Sequence, residues 1–295
     1  MPQSKSASIL ITGATGNIGK ELTKYLASKG IPFRAMVRSM DHAKDLESLT
    51  FPGTEVVLGD FNDTVSLENA LKGIEKAFLL TNSSELAEQQ QTAFVNAAAR
   101  AGVKHIVKLS QWAADVNSTV RFLRYHAVIE NLIKESGMTY TFLRPNLFMQ
   151  GLLGFRETII KQNQFFGAIG DAKISMIDTR DIAAVAGEAL SFAAHEGKTY
   201  DLTGPESLTH NQMAEKLSVA VGRKIEFINI TPKALKQTLL HVGFPEWQAE
   251  GLVEDYAHYK LGEAAEVKSG VKEATGNEAR GFDNFINDYA SLFSA

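Results

Sequence analysis

The run Ile9–Gly19, ILITGATGNIG, constrains this chain more than any other stretch. A short apolar segment enters a glycine-rich turn and leaves into helix-forming sequence. Gly13, Gly16 and Gly19 stand three residues apart. Each has a steric use: Gly13 permits the tight turn, Gly16 lets a pyrophosphate approach the backbone, and Gly19 lets the helix pack closely on the strand. A turn that uses glycine only for positive φ is the competing reading. Context weighs against it. Ser8–Thr12 is β-prone, and Ile18, Leu22, Tyr25 and Leu26 fall on one helical face.

The residues that follow alternate between strand-like and helix-like runs. Pro32–Arg38, Glu55–Leu58, Ala77–Thr81, His105–Ser110 and Tyr140–Leu143 read as strands. Val65–Lys72, Glu85–Ala101 and Val120–Ser136 read as helices, with Gly102 and Gly137 as stops. This order predicts an α/β protein with a Rossmann-type doubly wound parallel sheet. In such a sheet the carboxyl ends of the strands face the ligand. Arg38 ends the second strand, about 20 residues after the turn, where an acid would select NAD and a cation NADP. A guanidinium grips phosphate bidentately, so NADP(H) is expected over NAD(H). A solvated surface arginine is the plain alternative, and Asp41 nearby counts slightly against the cation. Asp60 and Phe61 suit an adenine contact, although an Asx turn explains Asp60 equally well. Thr81, Asn82 and Ser83, then Ser110, Gln111 and Trp112, then Asn146, emerge at the same edge.

After residue 147 the pattern loosens. Leu147–Gly154 is apolar, and Gln164–Gly170 carries Phe165 and Phe166. A helix is expected over Asp178–Ala194 with Thr179 as its N-cap, and Thr209 to Gln212 has capping-box spacing. The second half is expected to form a smaller C-terminal α+β substrate lobe. Residues 1–150 make the dinucleotide-binding domain, with 178–204 and a C-terminal helix 279–295 packing back on it; 151–278 is mainly the lobe. Phe148, Met149, Phe165 and Phe166 either line an aromatic substrate pocket or are ordinary core.

Composition excludes several classes. The net charge of -4 gives no basic footprint for nucleic acid. No apolar stretch is long enough to span a bilayer. With no cysteine there is no disulfide and no thiol chemistry, and the polar start MPQSKSAS lacks a signal-peptide core, so a cytoplasmic protein is expected. The histidines show no metal-ligand spacing, so no metal is expected. Asp178 and Asp181 read as helix-start residues and not as a carboxylate pair.

Together the motifs ITGATGNIG, VVLGDFND, AGVKHIVKLS, YTFLRPNLFMQGLL, DTRDIAAVA and KTYDLTGPESLT resemble the NmrA-like branch of the atypical short-chain dehydrogenase/reductase family. Within it they look most like the triphenylmethane reductase and NADPH:quinone oxidoreductase members. The resemblance covers nearly the whole chain. By position it implies cofactor contacts at Gly13, Thr15, Gly16, Asn17, Ile18, Arg38, Asp60, Phe61 and Thr81. One departure stands out. Typical short-chain dehydrogenases place Tyr-x-x-x-Lys on the helix over Val120–Ser136, where the lysine lowers the tyrosine pKa. Here Tyr125 is followed by Ile129, and His126 and Glu130 form a His-x-x-x-Glu pair on one face. Carbonyl reduction needs a proton donor at the oxyanion, so the missing lysine argues against it. Quinones and cationic dyes accept hydride into a conjugated system, where positioning supplies most of the catalysis.

The expectation is an NADPH-dependent reductase of small planar, quinone-like or aromatic acceptors, with a homodimer allowed. Tyr125, His126 and Ser110 are the candidate catalytic groups, and His126 donates a proton only if it faces the cleft; otherwise it bonds Glu130 or backbone. Gln111, Trp112, Asn146 and Phe148 are the candidate pocket. The rival is an NmrA-type dinucleotide-binding regulator that acts on a protein partner without turnover.

Overall fold

A computed structural model describes residues 7–44, 46 and 52–294, so the opening MPQSKS lies outside the described residues. Its strands are β1 (Ile9–Ile11), β2 (Arg34–Val37), β3 (Glu55–Leu58), β4 (Lys76–Leu79), β5 (His105–Leu109), β6 (Thr139–Pro145), β7 (Gln164–Gly167), β8 (Lys198–Leu202) and β9 (Glu226–Asn229). The helices are α1 (Asn17–Ser28), α2 (Met40–Ala43), α3 (Thr64–Leu71), α4 (Ala87–Ala101), α5 (Arg121–Glu135), α6 (Arg156–Gln162), α7 (Thr179–Ser191), α8 (His210–Val221), α9 (Pro232–His241), α10 (Glu246–Lys260), α11 (Gly270–Thr275) and α12 (Phe282–Phe293).

Seven strands form one parallel sheet in the order β3-β2-β1-β4-β5-β6-β8, as the doubly wound expectation requires. The order reverses between β1 and β4, and there a doubly wound sheet opens a crevice for its ligand. Thr12 closes the seam below that crevice. Its hydroxyl donates to Phe78 O (2.9 Å) and accepts from Leu80 N (2.8 Å).

Because successive strand residues point to opposite faces, both faces are apolar and both are covered. Ile9, Ile11, Phe78, Val107 and Leu143 pack on α1 and α7 with Leu22, Leu26, Ile182 and Ala186. Leu10, Ala77, Ile106 and Phe142 pack on α3, α4 and α5 with Leu67, Phe94 and Ile129. Helices α1 and α7 meet closely at Gly187, where a Cβ would lie 2.3 Å from the Tyr25 ring.

The parallel pair β7-β9 and helices α6, α8 and α12 enclose a second core built on Met149, Ile159, Phe165, Leu217 and Phe227. Met149 and Phe165 are therefore buried in the core of that lobe. The C-terminal helix also departs from expectation. Its apolar stripe, Phe282, Phe285, Ile286 and Phe293, belongs to the lobe core and packs on α8 and α6. Periodicity shows that a helix has a buried face, not which neighbour covers it. The contact back to α7 is ionic: Arg180 with Asp288 (2.5 Å), and Arg280 with Asp181. At the start of α7 the cap is Asp178, not Thr179; its carboxylate accepts from Arg180 N at 2.9 Å. Both residue types cap well, and the one just before the first helical residue takes the role. Among the described residues no helix is long and apolar enough to cross a membrane.

Candidate active site

Two of the three glycines of the opening turn are required by the fold itself. Gly13 has φ +62, and a Cβ there would meet Leu80 Cδ2 at 2.8 Å. At Gly19 a Cβ would sit 2.0 Å from Gly13 O, backbone against backbone. Gly16 is different: a Cβ would meet only Gly13 O at 3.4 Å, and its φ of -79 suits any residue. Nothing inside the protein requires glycine there. Gly16 and Asn17 are exposed, Thr15 is half-buried, and Ile18 is buried against the sheet. Helix α1 starts without a side-chain cap and without an acid in its first turn. Its end therefore presents N–H groups and the positive pole of the helix.

Arg38, just past β2, is exposed and has no ion-pair partner among the described residues. Asp41 is turned to Lys44 (3.6 Å), so it does not neutralise Arg38. Asp60 forms the Asx turn, accepting from Asn62 N at 2.8 Å, while Phe61 packs on Phe94 with ring centroids 5.8 Å apart. Thr81 accepts from Gln91 Nε2 at 2.8 Å, and Asn82 is exposed. A bare helix terminus, a backbone open at Gly16 and a free guanidinium are a donor set that fits a phosphorylated dinucleotide.

At the other end of the crevice, α5 lies over the ends of β4, β5 and β6. The buried Tyr125 hydroxyl bonds Ser83 Oγ at 3.0 Å, and burial pushes its phenol well above the ordinary range. The expected His126–Glu130 pair does not form. Glu130, 2 % exposed, accepts from Ser110 Oγ at 2.5 Å and from Arg144 Nε and Nη2 at 2.9 and 2.6 Å. The single Ser110 hydroxyl proton is thus given to Glu130, which leaves Ser110 Oγ able only to accept a further hydrogen bond.

His126 instead places Nδ1 2.6 Å from Lys108 Nζ, which also donates to Leu109 O at 3.1 Å. Residues four apart on a helix share a face, but the sheet register sets which strand residue each one meets. Lys108 is fully buried, and burial pushes its ammonium down to about 7, with Glu130 pulling the other way. Burial and then the Lys108 charge hold His126 well below the ordinary imidazole range. Sequence reasoning missed Lys108. The signal was there: His105-Ile-Val-Lys-Leu109 is a central strand, and central parallel strands are covered on both faces.

The four candidate pocket residues mostly join the lobe to the sheet. Gln111 Nε2 donates to both oxygens of Asp255 on α10, at 3.1 and 2.9 Å. Trp112 Nε1 donates to Glu263 O at 2.9 Å. Asn146 donates to Ser175 Oγ and Ala264 O and caps Leu147 N, so its amide is fully used. Phe148 packs against the sheet core. Arg121 locks α10 onto α5 through Glu254 (2.6 Å) and Glu250 (3.2 Å), and Gly251 leaves room for the Phe122 ring. Between α5, α10 and the loop after β4 lies a cavity of about 230 Å³, lined in part by Ser84, Tyr125, Arg124 and Trp247.

Burial, with only an amide as partner, pushes the Asp255 carboxyl up to about 7. Its folded pKa lies above the unfolded value near 4. The stability it contributes is full below about pH 4 and is lost as pH rises through about 7. Asp255→Asn should flatten that fall in urea denaturation midpoints measured between pH 5 and 8; an unchanged slope would place the carboxyl's ionisation elsewhere.

The sheet order, the glycine turn at its switch point and the lobe over the strand ends define an extended dinucleotide-binding fold. The chain belongs to the NmrA-like family, whose model matches residues 5–286. It is 36% identical over 287 residues to an NAD(P)H azoreductase of Xenophilus azovorans, covering 97% of this chain and 99% of that one. It superposes with a TM-score of 0.85 and 29% identity on the NADPH-dependent quinone oxidoreductase QOR2 of Escherichia coli complexed with NADPH, covering 95% and 99% of the two chains. The Citrobacter sp. triphenylmethane reductase complexed with NADP(H) gives a TM-score of 0.83 at 27% identity, with 96% and 100% covered.

Proposed function

We propose that this chain is an NADPH-dependent reductase that passes hydride to a planar, electron-poor acceptor such as a quinone or a dye. We place it in the cytoplasm, in keeping with a cysteine-free chain. The observation that carries the reading is the pairing of an intact dinucleotide end with a catalytic helix that lacks the tyrosine–lysine couple. Ile129 stands one turn after Tyr125, and the Ser110 proton is held by Glu130.

The N–H groups of Asn17, Ile18 and Gly19 at the start of α1 hold the pyrophosphate beside Gly16, whose own N–H is given to Gly13 O (3.0 Å). Arg38 takes the 2′-phosphate, and Asp60 and Phe61 flank the adenine. Thr81 and Asn82 border the ribose and nicotinamide. Bound nicotinamide supplies the hydride. A flat acceptor lies against it under the lobe, where the cavity beside Tyr125 gives entry. A conjugated acceptor spreads the incoming charge, so the site needs orientation and one proton more than an alkoxide-stabilising couple.

Purified protein mixed with NADPH and a panel of quinones and triphenylmethane or azo dyes should consume the reduced nicotinamide absorbance. Arg38→Ala should weaken NADPH binding by about 10- to 100-fold, the worth of charged hydrogen bonds, and leave NADH binding unchanged. Equal losses for both cofactors would refute the 2′-phosphate assignment. No turnover with dinucleotide binding retained would favour the regulator.

A further inference from the structure

The buried contact between Lys108 and His126 is a charged cluster of the site that the binding of cofactor does not use. Lys108 shares the α5-facing side of β5 with Ile106, and its partners in register, Leu79 on β4 and Phe142 on β6, are neutral. Its Nζ meets two acceptors, Leu109 O and His126 Nδ1. The charges that act on it are Glu130 from α5 and Arg144 from β6; the charge that acts on His126 is Lys108. Asp255 on α10 acts on the adjacent Tyr125, whose ring lies 4.2 Å from the His126 ring.

An ammonium can only donate, so a charged Lys108 requires Nδ1 to accept, and the ring proton must then sit on Nε2. That second nitrogen makes no hydrogen bond within the protein among the described residues. The side-chain atoms both unpartnered and sealed from solvent there are Gln91 Oε1, Ser207 Oγ, His210 Nδ1 and His258 Nε2. His126 Nε2 is not one of them, so solvent reaches it, on a residue that is 7 % exposed overall.

We propose that Lys108 is a positioning residue: it fixes His126 as the Nε2–H tautomer and makes the open edge of that ring the proton donor of the cleft. This rests on the reductase reading and adds the source of its proton. After a quinone has received hydride it is a hydroquinone anion. The Nε2–H bond breaks as the O–H bond of the hydroquinone forms. Nδ1 takes a proton from the Lys108 ammonium, which becomes the neutral amine. The pair resets when Nε2 takes a proton from water and the Nδ1 proton returns to Lys108. The lysine absent from the helix is thus replaced by one from the strand beneath it, acting through histidine and not through Tyr125. Since Lys108 titrates near 7, the charged donor is present below that pH and lost above it.

Two measurements on the whole protein test this. Nitrogen-15 NMR of the resting protein reads the tautomer without any turnover. At pH 6, His126 should show a protonated Nε2 and a bare Nδ1, and that pattern should change as pH rises through about 7. In Lys108→Met the Nε2–H preference and the transition should both vanish; in Lys108→Arg the preference should persist without the transition. A bare Nε2 or a charged imidazolium at pH 6 in the wild type would overturn the assignment. In steady state, wild-type kcat with a quinone should fall about tenfold per pH unit above the transition. Lys108→Met should give a low, flat profile with KM for NADPH unchanged. A wild-type-like profile in that variant would refute the relay. Absence of turnover in the wild type would overturn both the reductase reading and the relay's role, while the spectrum alone decides the tautomer.

Discussion

Gly19→Ala is expected to destabilise the protein by about 3 kcal/mol, the upper part of the usual overpacking range. The added Cβ would lie 2.0 Å from Gly13 O and 2.7 Å from Ala14 Cα, and no side chain can move to relieve contacts with backbone. Relief requires α1 to back away from the end of β1, which opens the core around Ile18, Leu22 and Leu26. Urea denaturation of the cofactor-free protein measures the cost. Gly16→Ala is the matched control, because its Cβ meets ordinary contact distances only. It should cost about 1 kcal/mol or less, as an N-cap change. Its effect should appear in NADPH affinity, lowered about tenfold or more where the pyrophosphate needs the bare backbone. Equal destabilisation by the two substitutions would remove the ligand-based reason for Gly16.

The second large effect is expected at Glu130. Glu130→Ala removes the carboxylate that Arg144 and Ser110 both use and should cost about 3–5 kcal/mol, the usual result of breaking a buried ion pair from one side. Much of that cost is the unpaired Arg144, not the worth of the bond. Replacing both partners, Glu130→Met with Arg144→Met, should therefore recover part of the loss, because apolar groups need no partner. If the double variant were as unstable as the single one, the carboxylate's contribution would lie in Ser110 and Lys108 and not in Arg144. Glu130 is also the charge that supports the Lys108 ammonium. Its removal should move the His126 transition to lower pH in the same NMR experiment.

The strands and helices read in the first half were legible to within a few residues because their causes are local, whereas the short helices α2, α6 and α11 were not read. Strand runs buried on both faces, helical stripes, glycine stops such as Gly102 and the capping box at Thr209 are all short-range signals. The site was legible in halves. Gly13, Gly16, Gly19 and Arg38, the residues proposed to meet the dinucleotide, lie close together on the chain. The α5 cluster was not, because its partners come from separate elements: Lys108 from β5, Arg144 from β6 and Glu254 from α10. His126 and Glu130 looked like a pair on their own helix. A fixed register of β5 and β6 beneath that helix gave each of them a different partner.

The sequence by itself determined that a strand, a glycine turn and a helix would open the chain and present a helix end bare of side chains. It also determined that the usual tyrosine–lysine couple would be absent from α5. Only the tertiary structure decided that Gly13 and Gly19 are held by the protein's own contacts, which leaves Gly16 as the position without an internal reason. Only the tertiary structure brought a lysine under His126. The physical reason is range: φ preference and periodicity act within a turn, whereas a hydrogen bond between a strand and a helix exists only once the sheet has set their register.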